Sequence, residues 1–102
     1  MHDSMFKKLD QLENRINEIQ GLLLDSETVK DIEKYTLLNK EFSDLKPIVD
    51  KFNEYNQITK SIEDANEIIN SGDKDLKILA EEELKDSINK PEELEQELKL
   101  IM

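Results

Sequence analysis

The stretch MFKKLDQLENRINEIQGLL, Met5–Leu23, sets its apolar residues at Met5, Leu9, Leu12, Ile16, Ile19 and Leu23. Steps of four and three alternate along it, which is one stripe on an α-helix and the seam of coiled-coil-like packing. Asp3 or Ser4 is suited to cap the N-terminus by accepting a bond from a free backbone amide. Gly21 lowers helix propensity without stopping the pattern, so a first helix is expected over about 4–24.

Asp25-Ser26-Glu27 interrupts the apolar run that follows. Asp25 suits an N-cap, and Glu27 places negative charge in a first turn, where the helix dipole favours it. A second stripe then runs through Val29, Ile32, Tyr35, Leu38, Phe42, Leu45, Val49, Phe52, Tyr55, Ile58, Ile62, Ala65 and Ile69. It implies one helical arm over 26–70. Pro47 removes a backbone donor and crowds the preceding turn, which predicts a kink or short break near 43–47. Because the apolar phase passes straight through it, the helical direction is expected to be largely kept.

Asn70-Ser71-Gly72-Asp73 is the clearest turn in the chain, and Asp73 is placed to cap a third arm over 74–102. The third stripe is Leu76, Leu79 with Ala80, Leu84, Ile88, Leu94, Leu98 and Ile101, weakened by Ser87 and Pro91. Asn89-Lys90-Pro91-Glu92-Glu93 reads as a helix restarting with Pro in its first turn, predicting a kink or break near residue 90. Short turns cannot carry the chain back along a helix tens of ångströms long, so successive arms pack antiparallel. The fold expected is all-α: an elongated antiparallel helical bundle, coiled-coil-like, of three arms kinked near Pro47 and Pro91, forming a single domain over 1–102.

Composition limits what such a bundle can do. The 102 residues are 38% charged and 36% hydrophobic, with no Cys and a formal net charge of -11. Gripping a phosphate backbone needs clustered Lys and Arg, so neither nucleic acid nor an anionic membrane surface is an expected partner, and protein surfaces remain. No disulfide framework or thiolate metal site is available. No apolar run reaches the roughly 18 residues of a membrane span, and no signal-peptide layout opens the chain, which favours a cytoplasmic setting.

Residues of chemical interest are few. His2 is the only histidine and stands at a terminus without a second nitrogen ligand. Glu81-Glu82-Glu83 and Glu92, Glu93, Glu95 and Glu97 resemble carboxylate clusters, but successive helical residues point apart and no loop supplies the oxygen cage a calcium ion requires. Asp73-Lys74-Asp75 has its Gly before the acids, the wrong order for a calcium loop. Ser4, Ser26, Ser43, Ser61, Ser71 and Ser87 have no histidine to activate them. Phe6, Tyr35, Phe42, Phe52 and Tyr55 are read as core residues and not as a base-stacking platform, because their surroundings are acidic. Arg15 stands alone, whereas anion-binding sites converge several arginines. No catalytic, cofactor-binding or metal-ligating residue is therefore assigned, and no cofactor is expected.

The order of particular residues does point to a family. Leu22-Leu23-Leu24-Asp25-Ser26-Glu27-Thr28-Val29-Lys30-Asp31 is followed by Tyr35, Leu38, Lys40-Glu41, Leu45, Pro47-Ile48-Val49 and Glu54-Tyr55. Asp73, Leu76, Ala80, Glu82-Glu83-Leu84-Lys85 and Leu94-Glu95-Gln96-Glu97-Leu98-Lys99-Leu100 come next. In this order, from Phe6 to Met102, they resemble the N-terminal helical domain of the bacterial class I release factors of the release factor 1 family. Ser26 stands where the family often has Pro, and Ser87 and Pro91 where apolar residues are more usual.

The resemblance implies the front domain of a larger translation termination factor that directs release of the nascent peptide at UAA and UAG codons. The stripe Leu94, Leu98 and Ile101 still recurring at Met102 is in keeping with such a piece. In the family the codon-reading and Gly-Gly-Gln hydrolysis loops lie beyond this domain, and no residue of either can be placed on this chain. The implied partners are the ribosome, at the stalk base of the large subunit, and a recycling GTPase, with the domain itself monomeric. Two other classes fit the residues less well. A self-contained helical adaptor would use the same stripes as an intermolecular seam, and a small helical enzyme would need a pocket with convergent polar groups.

Overall fold

A computed structural model describes residues 1–102, all of the chain, and contains five α-helices and no strand. They are α1 (Asp3–Leu23), α2 (Ser26–Lys30), α3 (Ile32–Asn70), α4 (Lys74–Ser87) and α5 (Lys90–Ile101). The all-α class follows from the 3.6-residue periodicity that runs through the whole sequence. Contacts gather into two compact units, Met1–Asp50 and Lys51–Met102. None of the helices is long and apolar enough to cross a membrane.

In the first unit, α1 buries Leu9, Ile16 and Ile19, with Met5, Leu12 and Leu23 half-buried beside them. The expected cap at Asp3 or Ser4 is not used. His2 occupies the N-cap with no side-chain bond, and its carbonyl accepts from the Phe6 N–H at 3.0 Å. Asp3 instead puts its charge in the first turn, where it still suits the dipole. Asp25 caps α2 as expected, its Oδ1 accepting the Glu27 N–H at 2.8 Å.

The single arm expected over 26–70 is divided, and the division is at Asp31. This residue adopts extended angles, φ -93 and ψ 93, and donates its N–H to the Thr28 carbonyl at 3.1 Å. Its Oδ1 accepts from the Lys34 N–H at 3.1 Å and its carbonyl from the Tyr35 N–H at 2.9 Å. One aspartate thus closes α2 and caps α3. No break occurs over 43–47, where helical residues continue through Pro47. The carbonyl of Ser43 loses its helical donor there, but Ser43 and Pro47 lie on the exposed face, where water can take the donor's place. Opposite, Leu38 and Val49 face the core, and Thr28 is buried.

In the second unit, α3 supplies Phe52, Tyr55 and Ala65, α4 supplies Ala80, and α5 supplies Leu94 and Leu98. The turn between α3 and α4 takes the form its residues suggest. Gly72 has φ 89, a conformation that costs a side chain with a Cβ. Ser71 Oγ donates to the Ile68 carbonyl at 2.7 Å, and Asp73 Oδ1 accepts from the N–H groups of Asp75 and Leu76, each at 3.1 Å. Near residue 90 the third arm is broken, with Ser87 ending α4 and Lys90 opening α5. Pro91 sits in the first turn of α5, where its missing donor costs least, followed by Glu92 and Glu93. Ile88 and Asn89 keep right-handed helical angles across the gap.

Candidate interaction surfaces

Two cross-helix ion pairs mark the register within the units. Arg15 of α1 and Glu41 of α3 are equally far in sequence from Thr28, so antiparallel packing sets them opposite one another. The guanidinium grips the carboxylate with two nitrogens: Nε donates to Oε1 at 2.9 Å and to Oε2 at 3.2 Å, and Nη2 donates to Oε2 at 2.7 Å. Nη1 donates to Glu18 Oε1 at 3.0 Å. The hydrogen bond from Arg15, and then its charge, hold the Glu41 carboxyl below its ordinary range, against an opposing effect of desolvation. Arg15 is raised in turn, chiefly by the bond to Glu41.

In the second unit Lys51 of α3 donates to Glu97 of α5. The same argument applies, because the two stand equally far from Lys74. That bond is the main reason Lys51 is raised above its ordinary range, with the charges of Glu97 and Glu54 adding to it. Nearby, burial raises the Tyr55 phenol, and the charge of Glu95 adds to the effect.

Each pair borders an open groove. The first, of about 390 Å³, is lined by Arg15, Lys34, Glu33 and Glu41 over Leu37 and Leu38. Its guanidinium is committed to Glu41 and Glu18, so Arg15 acts as a bridge between helices. The second, of about 260 Å³, sets Lys51 and Lys90 against Glu54, Glu93 and Glu97. In both, lysine and arginine are matched by carboxylates, and no buried side-chain nitrogen or oxygen is left without a partner. Neither groove brings a nucleophile to a base.

The other residues singled out in the sequence are dispersed. His2 is exposed at the start of α1, and Glu81, Glu82, Glu83, Glu92, Glu93 and Glu97 are exposed along α4 and α5. No three His, Asp or Glu side chains gather in a way that could hold a metal ion. Phe52 and Tyr55 are core residues, Phe6 and Phe42 are half-buried, and Tyr35 is on the surface.

Several residues expected inside lie outside. Val29, Ile32, Leu76, Leu79, Ile88 and Ile101 are all exposed, Ile32 by 79%. Periodicity identifies the face of a helix, but whether another helix covers it depends on the packing. At the corner from α1 to α3, Leu24, Val29, Ile32 and Tyr35 are exposed within a short stretch of chain, and along α4 so are Leu76, Ile78 and Leu79. Exposed aliphatic residues on so polar a chain mark surfaces suited to protein contact.

Known proteins give these surfaces a context. The chain is similar to peptide chain release factor 1 of Ligilactobacillus salivarius, 36% identical over 98% of this chain and 28% of the relative. It is similar to peptide chain release factor 1 of Agathobacter rectalis, 38% identical over 96% of the chain and 28% of that relative. For peptide chain release factor 1 of Nitratiruptor sp. the identity is 43%, over 94% of the chain and 27% of the relative. The chain therefore spans a little over a quarter of the length of these relatives. No solved structure matches it. The PCRF domain profile matches residues 12–102, from the middle of α1 through α5, and the chain belongs to the PCRF domain family.

Proposed function

We propose that this chain is the N-terminal interaction domain of a translation termination factor that directs release of the nascent peptide at UAA and UAG codons. The observation that carries the reading is the PCRF match over residues 12–102, together with relatives that are each a peptide chain release factor 1. The chain binds and positions, and the codon-reading and hydrolytic steps belong to other parts of the factor. Its partner is the ribosome, at the stalk base of the large subunit, with a recycling GTPase as a second contact. It acts in the cytoplasm as a monomer.

The charge supports a protein contact within the ribosome. A chain of net charge -11 is steered towards basic proteins and away from ribosomal RNA. Co-sedimentation of the 102-residue chain with purified large subunits tests the reading. Binding that is lost when the stalk-base proteins are stripped off, and regained when they are added back, is the expected result. Binding indifferent to those proteins would remove the proposed location, and no binding at low salt would remove the ribosomal reading.

A further inference from the structure

We infer that one face of α4 is a docking surface for a basic protein of the ribosome that presents apolar side chains. The inference rests on the proposed function for its setting and on α4 itself for its chemistry. At 100° per residue, Asp75, Leu76, Leu79, Glu82, Glu83 and Asp86 fall within an arc of about 120°. That arc contains no other residue of the helix. Lys74, Lys77 and Lys85 lie outside it, on the far side, where Lys77 pairs with Glu81 at 4.0 Å. Ala80, Leu84 and Ser87 form the adjoining face, which is buried or half-buried.

The separation of charge is what gives the face its direction. All six residues of the arc are exposed, Leu76 by 48% and Leu79 by 63%, and none of its four carboxylates takes part in an ion pair. A merely solvated helix surface gains from lysines paired at three- and four-residue spacing, as Lys46–Asp50 and Lys60–Asp64 are on α3, whereas on α4 Lys85, three residues after Glu82, makes no such pair. Here like charges surround two leucines. A partner with lysine or arginine around an apolar centre would neutralise the carboxylates and cover the leucines together. RNA offers neither, because its phosphates are repelled by the same carboxylates.

The test uses the 102-residue chain with intact large subunits. Glu82→Gln/Glu83→Gln/Asp86→Asn should lower affinity about tenfold at low salt, with the difference shrinking as salt rises. Leu76→Ser/Leu79→Ser should lower it about fivefold at all salt concentrations. Lys74→Ala/Lys85→Ala, on the far side, should leave it unchanged. Thermal unfolding of each variant verifies that the exposed substitutions leave the fold intact. A photoreactive residue introduced as Leu79→p-benzoylphenylalanine should cross-link to a Lys- or Arg-rich ribosomal protein. Parent-like binding by either the acidic or the leucine variant, or cross-linking to RNA alone, overturns the docking face while the ribosomal reading stands. If the parent chain fails to bind subunits at all, both fall.

Discussion

Single side chains differ sharply in what they contribute. Phe52 is 1% exposed, so Phe52→Ala leaves a cavity and should cost about 3–5 kcal/mol in urea unfolding. A serine at exposed Leu79 should change stability by less than about 0.5 kcal/mol. The Arg15–Glu41 pair gives a dependence on acid. Glu41 is held below its ordinary 4.5 in the folded chain, so the pair's contribution is present above that value and is lost as pH falls through the lower folded value. The stability difference between the parent and Arg15→Ala should therefore be largest near neutral pH and shrink as pH falls below 4.5. Lys51 has the opposite sign. Raised above 10.5, it contributes fully below that value and loses its contribution as pH climbs through the higher folded value.

Helices and turns show where sequence reasoning succeeded and where it could not reach. The turn at Gly72 and the caps at Asp25 and Asp73 were legible, because a residue type and its local backbone demand go together. Asp31 is not marked in the sequence, because the apolar spacing continues across it. A single extended residue between two helices leaves almost no mark on that spacing. The exposure of Val29, Ile32, Leu76 and Leu79 was also hidden, since it depends on which faces the neighbouring helices leave uncovered. The role of Arg15 needed the register of α1 against α3, which no local motif supplies. Two substitutions test the turn after α3 and the interior of α3 itself. Gly72→Ala should cost about 1–2 kcal/mol, because φ 89 is unfavourable for alanine while space for the methyl is open. Pro47→Ala should raise stability by about 2 kcal/mol, because it restores a donor to Ser43 within α3.

For the molecule as a whole, charge acts on stability as well as on partner choice. With 25 acidic and 14 basic residues, the folded chain concentrates like charges that the unfolded chain spreads apart. The thermal midpoint should rise as sodium chloride is raised from about 10 mM to about 0.3 M, over which the screening length falls to well below the size of the domain. A midpoint that falls over that range would mean the ion pairs outweigh the repulsion. Membership of the PCRF family rests on nearly the full length of the chain, while the surfaces that would do the work are confined to short stretches of it.

The boundary between the two compact units at Asp50 also bears on how the molecule is made. Arg15 and Glu41, with Leu9, Ile16, Ile19, Leu38 and Val49, all precede that boundary, so the first unit has its internal partners before the second has been translated. The second unit cannot close until Glu97 follows Lys51, a separation of 46 residues against 26 for Arg15 and Glu41. Loop closure is slower and less favourable over the longer span. Synthesis from the N-terminus therefore gives folding a fixed order: α1 can settle against the start of α3 while α5 is still within the ribosome that is making it.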